Sequence, residues 1–136
     1  MRGWLAGAGL AGAGLVLARR YLSMVTVRGH SMSPTLPDGQ RLLAVRRRHY
    51  RVGDVVVFRV RGSAGTPGDP DHRIKRVVAT GGDRRPAAFD GWPLAEAVPG
   101  GHLAVAGDNA EHSQDSRHLG YIPLSDVLGR ATIRFP

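Results

Sequence analysis

The sequence contains no cysteine and a single lysine, although 19 of its 136 residues are Lys or Arg. Without cysteine the chain cannot form disulfides, use a thiol nucleophile or build a cysteine-ligated zinc site. The lysine is Lys75, and all the other residues among these 19 are arginines. A guanidinium stays protonated in proteins, whereas a desolvated amine can lose its proton near neutral pH. Lys75 is therefore either a leftover surface charge or a candidate general base.

Acidic residues are also few, so the formal net charge is +8. This charge favours contact with polyanions, and both anionic lipid headgroups and nucleic acid qualify. The densest basic segment, residues 46–51, lies between two strand-like stretches. It is interpreted either as a solvated loop or as a patch that faces a polyanion. A chain of this length has room for one domain with a modest core.

Long apolar runs are absent except near the N terminus, where residues 4–18 carry no charge. As a helix they would be about 22 Å long, which is shorter than the roughly 30 Å hydrocarbon core of a bilayer. Continuation to residue 22, with Arg19 and Arg20 snorkelling, closes most of that gap. A signal peptide has a similar pattern, but no small-x-small cleavage site precedes the arginine pair. We therefore expect an uncleaved membrane anchor over residues 1–22, whose Gly3 and Gly7 could mediate self-association.

Residues 23–136 are expected to form a β-rich domain, because short apolar stretches alternate there with turn residues. Asp90-Gly91 predicts a hairpin turn between residues 87–89 and 92–94, and residues 62–70 are typical of a flexible loop. The expected fold class is all-β, a small barrel or sandwich of short strands with one N-terminal membrane-anchor helix. The predicted strands cover residues 24–28, 41–45, 54–60, 73–80, 102–106 and 127–133.

Ser31 lies in a tight polar turn upstream of Lys75, and a serine with a lysine base is a recurring acyl-transfer nucleophile. Four segments surround these two residues in a fixed order: residues 31–36, 53–58, 74–83 and 107–117. Together they resemble the type I signal peptidases, the Ser/Lys-dyad membrane serine proteases. The resemblance covers nearly the whole chain, and the short distance from Lys75 to the last segment indicates a minimal form without a large insert.

The resemblance implies that Ser31 is the nucleophile, that Lys75 is the general base, and that Ser113 hydrogen-bonds Lys75 and orients it. An unperturbed lysine pKa of about 10.4 would leave the amine protonated at pH 7, so burial must lower it by several units. Ile74 is a suitable apolar neighbour. Strand alternation puts Arg73 on the same face as Lys75, where its charge would lower that pKa further.

Supporting residues follow from the same resemblance. Arg76 is expected to pair with Asp108, while Asp115 and Arg117 form a second ion pair that holds the loop carrying Ser113. A plainer interpretation is that both aspartates only cap turns.

The oxyanion hole is expected to use the backbone amide of Ser31. Some family members carry a serine at the position of Gly29, so here a backbone amide of the local turn is expected to replace that donor. Replacement of Gly29 by serine is predicted to be tolerated and to raise turnover slightly.

The implied substrates are preprotein signal peptides with small residues at the first and third positions before the cut. An extended peptide is expected to add as a strand beside residues 25–27. Five apolar residues match positions that line the shallow substrate pockets, although each is equally typical of an ordinary core: Val25, Val27, Met32, Leu36 and Ile74.

The resulting prediction is a membrane-bound serine endopeptidase that cleaves signal peptides from secreted preproteins, without cofactor, metal or nucleic-acid partner. It is expected in the cell membrane as a single-pass protein with an extracytoplasmic catalytic domain. The arginines after the anchor favour the opposite orientation by the positive-inside rule.

Four other classes of protein share part of this pattern. A Ser/His/Asp hydrolase lacks its GxSxG elbow and alternating strands and helices here, and a self-cleaving repressor would bring a DNA-binding domain. A specialised maturation protease of the nickel superoxide dismutase type shares the segment that contains Ser31. A non-catalytic basic module for membrane or nucleic acid would explain the charge but not the pairing of Ser31, Lys75 and Ser113.

Overall fold

The computed structural model describes residues 4–61 and 72–136, so the loop predicted over residues 62–70 and the Gly3 of the glycine pair lie outside it. The chain folds in the order α1 (Trp4–Tyr21), β1 (Leu22–Thr26), β2 (Arg41–Val45), β3 (Val55–Arg59), β4 (His72–Thr80), β5 (His102–Ala106), α2 (Ser116–Leu119), β6 (Ile122–Pro123) and β7 (Val127–Phe135). Short 3-10 turns occur at Ala87–Phe89, Ala110–His112 and Leu124–Asp126.

The strands form one antiparallel seven-stranded sheet in the order β1-β2-β7-β3-β4-β5-β6. The predicted all-β class is therefore confirmed. Strands β1 and β6 form the two edges and do not pair with each other, so the described sheet is open and is not a closed barrel, one of the two forms expected from the sequence.

Both faces of the central strand β3 are covered, because Val56, Val57 and Phe58 are all fully buried although consecutive strand residues point to opposite faces. Val57 belongs to a cluster with apolar residues of β1, β2 and the turn after β1. Val56 and Phe58 belong to a second cluster with residues of β4, β5 and β7. The first of these clusters lies beneath the functional site.

Helix α1 is followed directly by β1, and the Arg46 amide donates a hydrogen bond to the Tyr21 carbonyl at 2.7 Å. Its side chains Leu15, Val16 and Leu17 are 58%, 61% and 54% exposed, so the helix is not packed into the β-domain there. Within the described residues, no helix combines the length and apolarity needed to cross a bilayer.

The hairpin predicted around Asp90-Gly91 is wrong. A turn does form there, but Ala87–Phe89 is a 3-10 turn. In the segment between β4 and β5, all of which the structure describes, the only β-bridge joins Arg84 and Ala97. Pro93 cannot donate to a ladder, and Phe89 is buried in a small cluster with Val98 instead. The short strand β6 and helix α2 were not predicted.

Candidate active site

Ser31 is held in a loop that leaves β1 and returns to β2. The Val27 amide donates to the Gln40 carbonyl at 2.8 Å, and the Gly39 amide donates back to the Val27 carbonyl at 2.9 Å, which closes the base of this loop. Met32, immediately after Ser31, is only 1% exposed and packs in the first core cluster. The apolar neighbour thus anchors the turn while Ser31 itself stays partly accessible.

Lys75 lies on β4 opposite this turn, and its Nζ donates to Ser31 Oγ at 2.8 Å. The same Nζ donates to the Ile74 carbonyl at 3.0 Å. Lys75 is 2% exposed, so its amine is shielded from bulk water while it contacts the partly accessible serine hydroxyl. The two residues that the resemblance implies as a dyad are therefore within direct hydrogen-bonding distance.

The pKa of Lys75 is lowered to about 8. Burial is the main cause, and the nearby positive charge of Arg73 acts in the same direction, while Asp115 opposes both. With a pKa of about 8, roughly a tenth of the amine is neutral at pH 7 and able to accept a proton. Both causes proposed from the sequence contribute to this shift.

The backbone of the serine turn is held by residues 107–109. The Asn109 amide donates to the Ser31 carbonyl at 2.9 Å, and the Asn109 side chain donates to the His30 carbonyl at 3.0 Å. A β-carbon on Gly107 would overlap the Ser113 hydroxyl and lie 2.7 Å from the Ser31 carbonyl oxygen. The sequence motif contained both residues, but only the structure shows that Asn109 clamps the turn and that Gly107 allows the close approach.

Ser113 has a different partner from the one expected. Its hydroxyl donates to Asp115 Oδ2 at 3.0 Å, and within the described structure it makes no hydrogen bond to Lys75. Ser113 is 8% exposed and lies against Gly107, beside the dyad rather than bonded to it. The pair formed by Ser113 and Asp115 replaces the direct orienting contact that the resemblance implied.

Asp115 is fully buried and organises the loop around Ser113. It accepts hydrogen bonds from the Gly107 amide, the Ser113 hydroxyl, and the backbone and side chain of Arg117. Burial alone would raise the Asp115 pKa, but these bonds outweigh it and the pKa is lowered. The carboxylate is therefore ionised at neutral pH, and it does more than cap a turn.

The predicted ion pair between Arg76 and Asp108 is also formed. Arg76 Nε and Nη2 donate to the two oxygens of Asp108 at 2.8 and 2.7 Å, and Arg76 Nη1 donates to the Gly53 carbonyl. The hydrogen bond from Arg76 is the main reason that the Asp108 pKa is lowered. Since Asp108 precedes Asn109, this bidentate pair ties the clamping segment to β4.

The backbone amides of Ser31 and Gly29 differ in their hydrogen-bond partners. The Ser31 amide has no acceptor among the described residues, so it is available to a developing oxyanion. The Gly29 amide donates to Asp38 Oδ1 at 2.8 Å, which removes it as the substitute donor. Gly29 has φ +79°, a backbone conformation that serine rarely adopts. The prediction that serine would be tolerated there is therefore not supported.

A cleft of about 340 Å³ opens over the dyad between the Ser31 turn and the start of β4. Of the five residues predicted to line substrate pockets, Val27, Met32 and Ile74 line this cleft. Val25 and Leu36 do not line it and instead pack in the core cluster beneath. Among the residues that the structure describes, no group of three or more His, Asp or Glu side chains is placed to hold a metal ion.

Comparison with known proteins gives the class of this chain. The family model described as signal peptidase, peptidase S26, matches residues 2–87 and 85–136. The mitochondrial ATP-independent inner membrane protease subunit 1a of Arabidopsis thaliana is 37% identical over 131 residues, which is 88% of this chain and 73% of that protein. The chain therefore belongs to the signal peptidase family, peptidase S26.

Two further relatives come from other organisms. The mitochondrial inner membrane protease subunit 1 of Schizosaccharomyces pombe is 33% identical, over 84% of this chain and 74% of the relative. Signal peptidase IB of Staphylococcus aureus is 26% identical, over 88% of this chain and 81% of the relative. The family thus includes both mitochondrial and bacterial proteases.

Proposed function

We propose that this chain is a membrane-bound serine endopeptidase that cleaves signal peptides from secreted preproteins, with Ser31 as nucleophile and Lys75 as general base. The observation that carries the proposal is the 2.8 Å contact between Lys75 Nζ and Ser31 Oγ, made by a lysine that is 2% exposed. A buried amine with a lowered pKa beside a hydroxyl has the arrangement that activates a serine without histidine.

In the proposed mechanism, the neutral fraction of Lys75 accepts the proton of Ser31 Oγ as that oxygen attacks the scissile carbonyl carbon. The Ser31 amide donates to the developing oxyanion. The protonated amine then gives its proton to the departing amino group, which leaves an acyl-enzyme ester on Ser31. A water molecule, deprotonated by Lys75, hydrolyses this ester and restores both residues.

The proposed substrate path runs between strand β1 and the start of β4. Strand β1 is an edge of the described sheet and pairs with β2, and the ladder between β4 and β5 begins at Arg76. The cleft lies between these two strands. An extended peptide that adds as a strand there would present alternate side chains to the shallow apolar floor, which favours small residues such as alanine.

The proposed location is a membrane with α1 as the anchor and the catalytic domain outside the cytoplasm. The exposed apolar side chains of α1 support membrane association, and relatives that match most of the chain are named as inner membrane proteases. Protease treatment of intact spheroplasts tests the orientation. Digestion of the β-domain is expected, whereas full protection would support the cytoplasmic orientation favoured by the arginine count.

The function is tested by incubating the purified full chain with a preprotein that bears an Ala-x-Ala site and sequencing the new N terminus. Cleavage directly after the second alanine is expected, and the Ser31→Ala variant should leave the preprotein intact. A matched preprotein with Leu-x-Leu at the same positions should not be cut. Equal cleavage of both preproteins would contradict the proposed specificity, and no cleavage of a panel of preproteins would favour a specialised maturation protease.

A further inference from the structure

A basic surface is formed where α1 meets the β-domain. It consists of Arg19 and Arg20, in the last turn of α1, and of residues 46–48, which begin the loop after β2. All five arginines are exposed, and none has a carboxylate partner within the described chain. These five arginines form a basic collar.

The geometry of the collar is fixed by the backbone rather than by the arginine side chains. The Arg46 amide donates to the Tyr21 carbonyl at 2.7 Å, so the loop starts against the end of α1. The Arg47 amide donates to the Tyr50 hydroxyl at 3.2 Å, and Tyr50 is itself buried in the core. Two separate stretches of chain are therefore held together with their positive charges exposed.

Apolar surface borders the collar on the helix and on the edge strand. Tyr21, Leu22 and Met24 are 54%, 41% and 50% exposed, and they continue the apolar surface of α1 onto β1. Leu22 pairs with Val45, the residue before the collar loop. An apolar strip that ends in a band of arginines fits the boundary between hydrocarbon and anionic headgroups.

We propose that the basic collar binds anionic phospholipid headgroups and seats the β-domain on the membrane surface. This inference rests on the proposed membrane association of α1 but not on the peptidase activity. Nucleic acid would also attract five arginines, but exposed apolar side chains next to the charges favour a lipid surface.

The absence of cysteine allows a direct test in the full chain, on a Ser31→Ala background that removes proteolysis. Two single-cysteine variants each carry a nitroxide on the new cysteine. His49→Cys lies beside the collar, Ala88→Cys lies in the segment between β4 and β5, and both positions are exposed. Flotation with vesicles is measured first. The accessibility of each nitroxide to a water-soluble nickel chelate is then compared in phosphatidylcholine vesicles and in mixed phosphatidylcholine and phosphatidylglycerol vesicles.

Accessibility at position 49 is expected to fall several-fold when phosphatidylglycerol is present and to recover at high salt, while position 88 stays unchanged. The triple variant Arg46→Gln, Arg47→Gln and Arg48→Gln should abolish this difference, because it keeps both backbone hydrogen bonds and removes only charge. A matched variant with Arg59→Gln, Arg84→Gln and Arg134→Gln, three arginines exposed elsewhere on the β-domain, should retain it.

Three results would overturn the proposal. Flotation with neither vesicle would reject membrane association itself, whereas flotation with equal accessibility at position 49 in both vesicles would reject only the collar as a lipid site. Protection of position 49 by a duplex oligonucleotide, without protection by phosphatidylglycerol, would assign the collar to nucleic acid.

Discussion

Gly107 and Ser113 approach so closely that a β-carbon on Gly107 would overlap the Ser113 hydroxyl. The same β-carbon would lie 2.7 Å from the Ser31 carbonyl oxygen. Gly107 therefore lies between the turn that carries Ser31 and the Ser113 side chain, and both pack closely against it. The packing beside the dyad therefore depends on a missing side chain, and this dependence leads to the first prediction.

Gly107→Ala is expected to lower kcat/KM and to destabilise the fold by about 1–3 kcal/mol, because the added methyl group would overlap the Ser113 side chain and crowd the Ser31 carbonyl. Gly100→Ala is the matched control, since a β-carbon there meets nothing within 4 Å. Urea denaturation and cleavage rates measure the two effects. Wild-type behaviour of Gly107→Ala would show that the turn and the Ser113 loop can separate without cost.

Gly29→Ser is expected to lower kcat/KM, although the sequence alone suggested a gain. At φ +79° a β-carbon costs about 1–2 kcal/mol, which strains the turn that carries Ser31. Gly29→Ala has the same backbone cost without a hydroxyl, so both variants should lose activity to a similar extent. A serine variant more active than wild type would mean that its hydroxyl donates to the oxyanion.

Arg73→Gln tests the electrostatics of the base. The positive charge of Arg73 lowers the Lys75 pKa, so its removal should raise that pKa and move the acidic limb of the kcat/KM profile to higher pH. Activity should fall at pH 7 and recover well above pH 8. Arg84→Gln, which removes an exposed arginine outside the cleft lining, should leave the limb in place. An unmoved limb in Arg73→Gln would separate Arg73 from the titration of Lys75.

Lys75→Met is expected to stabilise the inactive protein. The pKa of Lys75 is about 8 in the folded protein, below its ordinary value of 10.5. Below pH 8 the lysine is therefore charged in both the folded and the unfolded state, and the cost of burying this charge lowers the free energy of unfolding by its full amount. That cost falls as pH rises from 8 to 10.5. The variant should thus be more stable at pH 7 by on the order of 1–3 kcal/mol, with a smaller advantage at pH 10. Urea denaturation at both pH values measures it, and a pH-independent difference would contradict the shifted pKa.

The sequence predicted the strands well where apolar alternation and turn residues agreed. Residues 41–45 and 102–106 were predicted with the bounds that the structure has for β2 and β5. Strand β1 begins at Leu22, two residues earlier than predicted, because α1 leads into it without a connecting turn. The hairpin at Asp90-Gly91 failed because local turn chemistry does not reveal that Phe89 is buried.

The candidate site shows a similar division. The resemblance brought together Ser31 and Lys75, and it also implied the ion pairs of Arg76 with Asp108 and of Asp115 with Arg117. It did not give the partner of Ser113. That partner is the buried carboxylate of Asp115, whose oxygens must accept hydrogen bonds from nearby donors. The positive φ of Gly29 and the clamp by Asn109 depend on three-dimensional loop geometry, which residue types alone do not encode.

Cleavage of the Ala-x-Ala preprotein by Lys75→Arg, measured across a range of pH, tests directly whether Lys75 removes the Ser31 proton. Arginine preserves the positive charge, but its guanidinium cannot accept a proton at any accessible pH. Cooperative urea unfolding first shows that the variant is folded, and Lys75→Met provides a second inactive form. Lys75→Arg is expected to cleave no more preprotein than Ser31→Ala at every pH. Substantial cleavage by folded Lys75→Arg would contradict it, since Lys75 would then supply only charge and another residue would be the base.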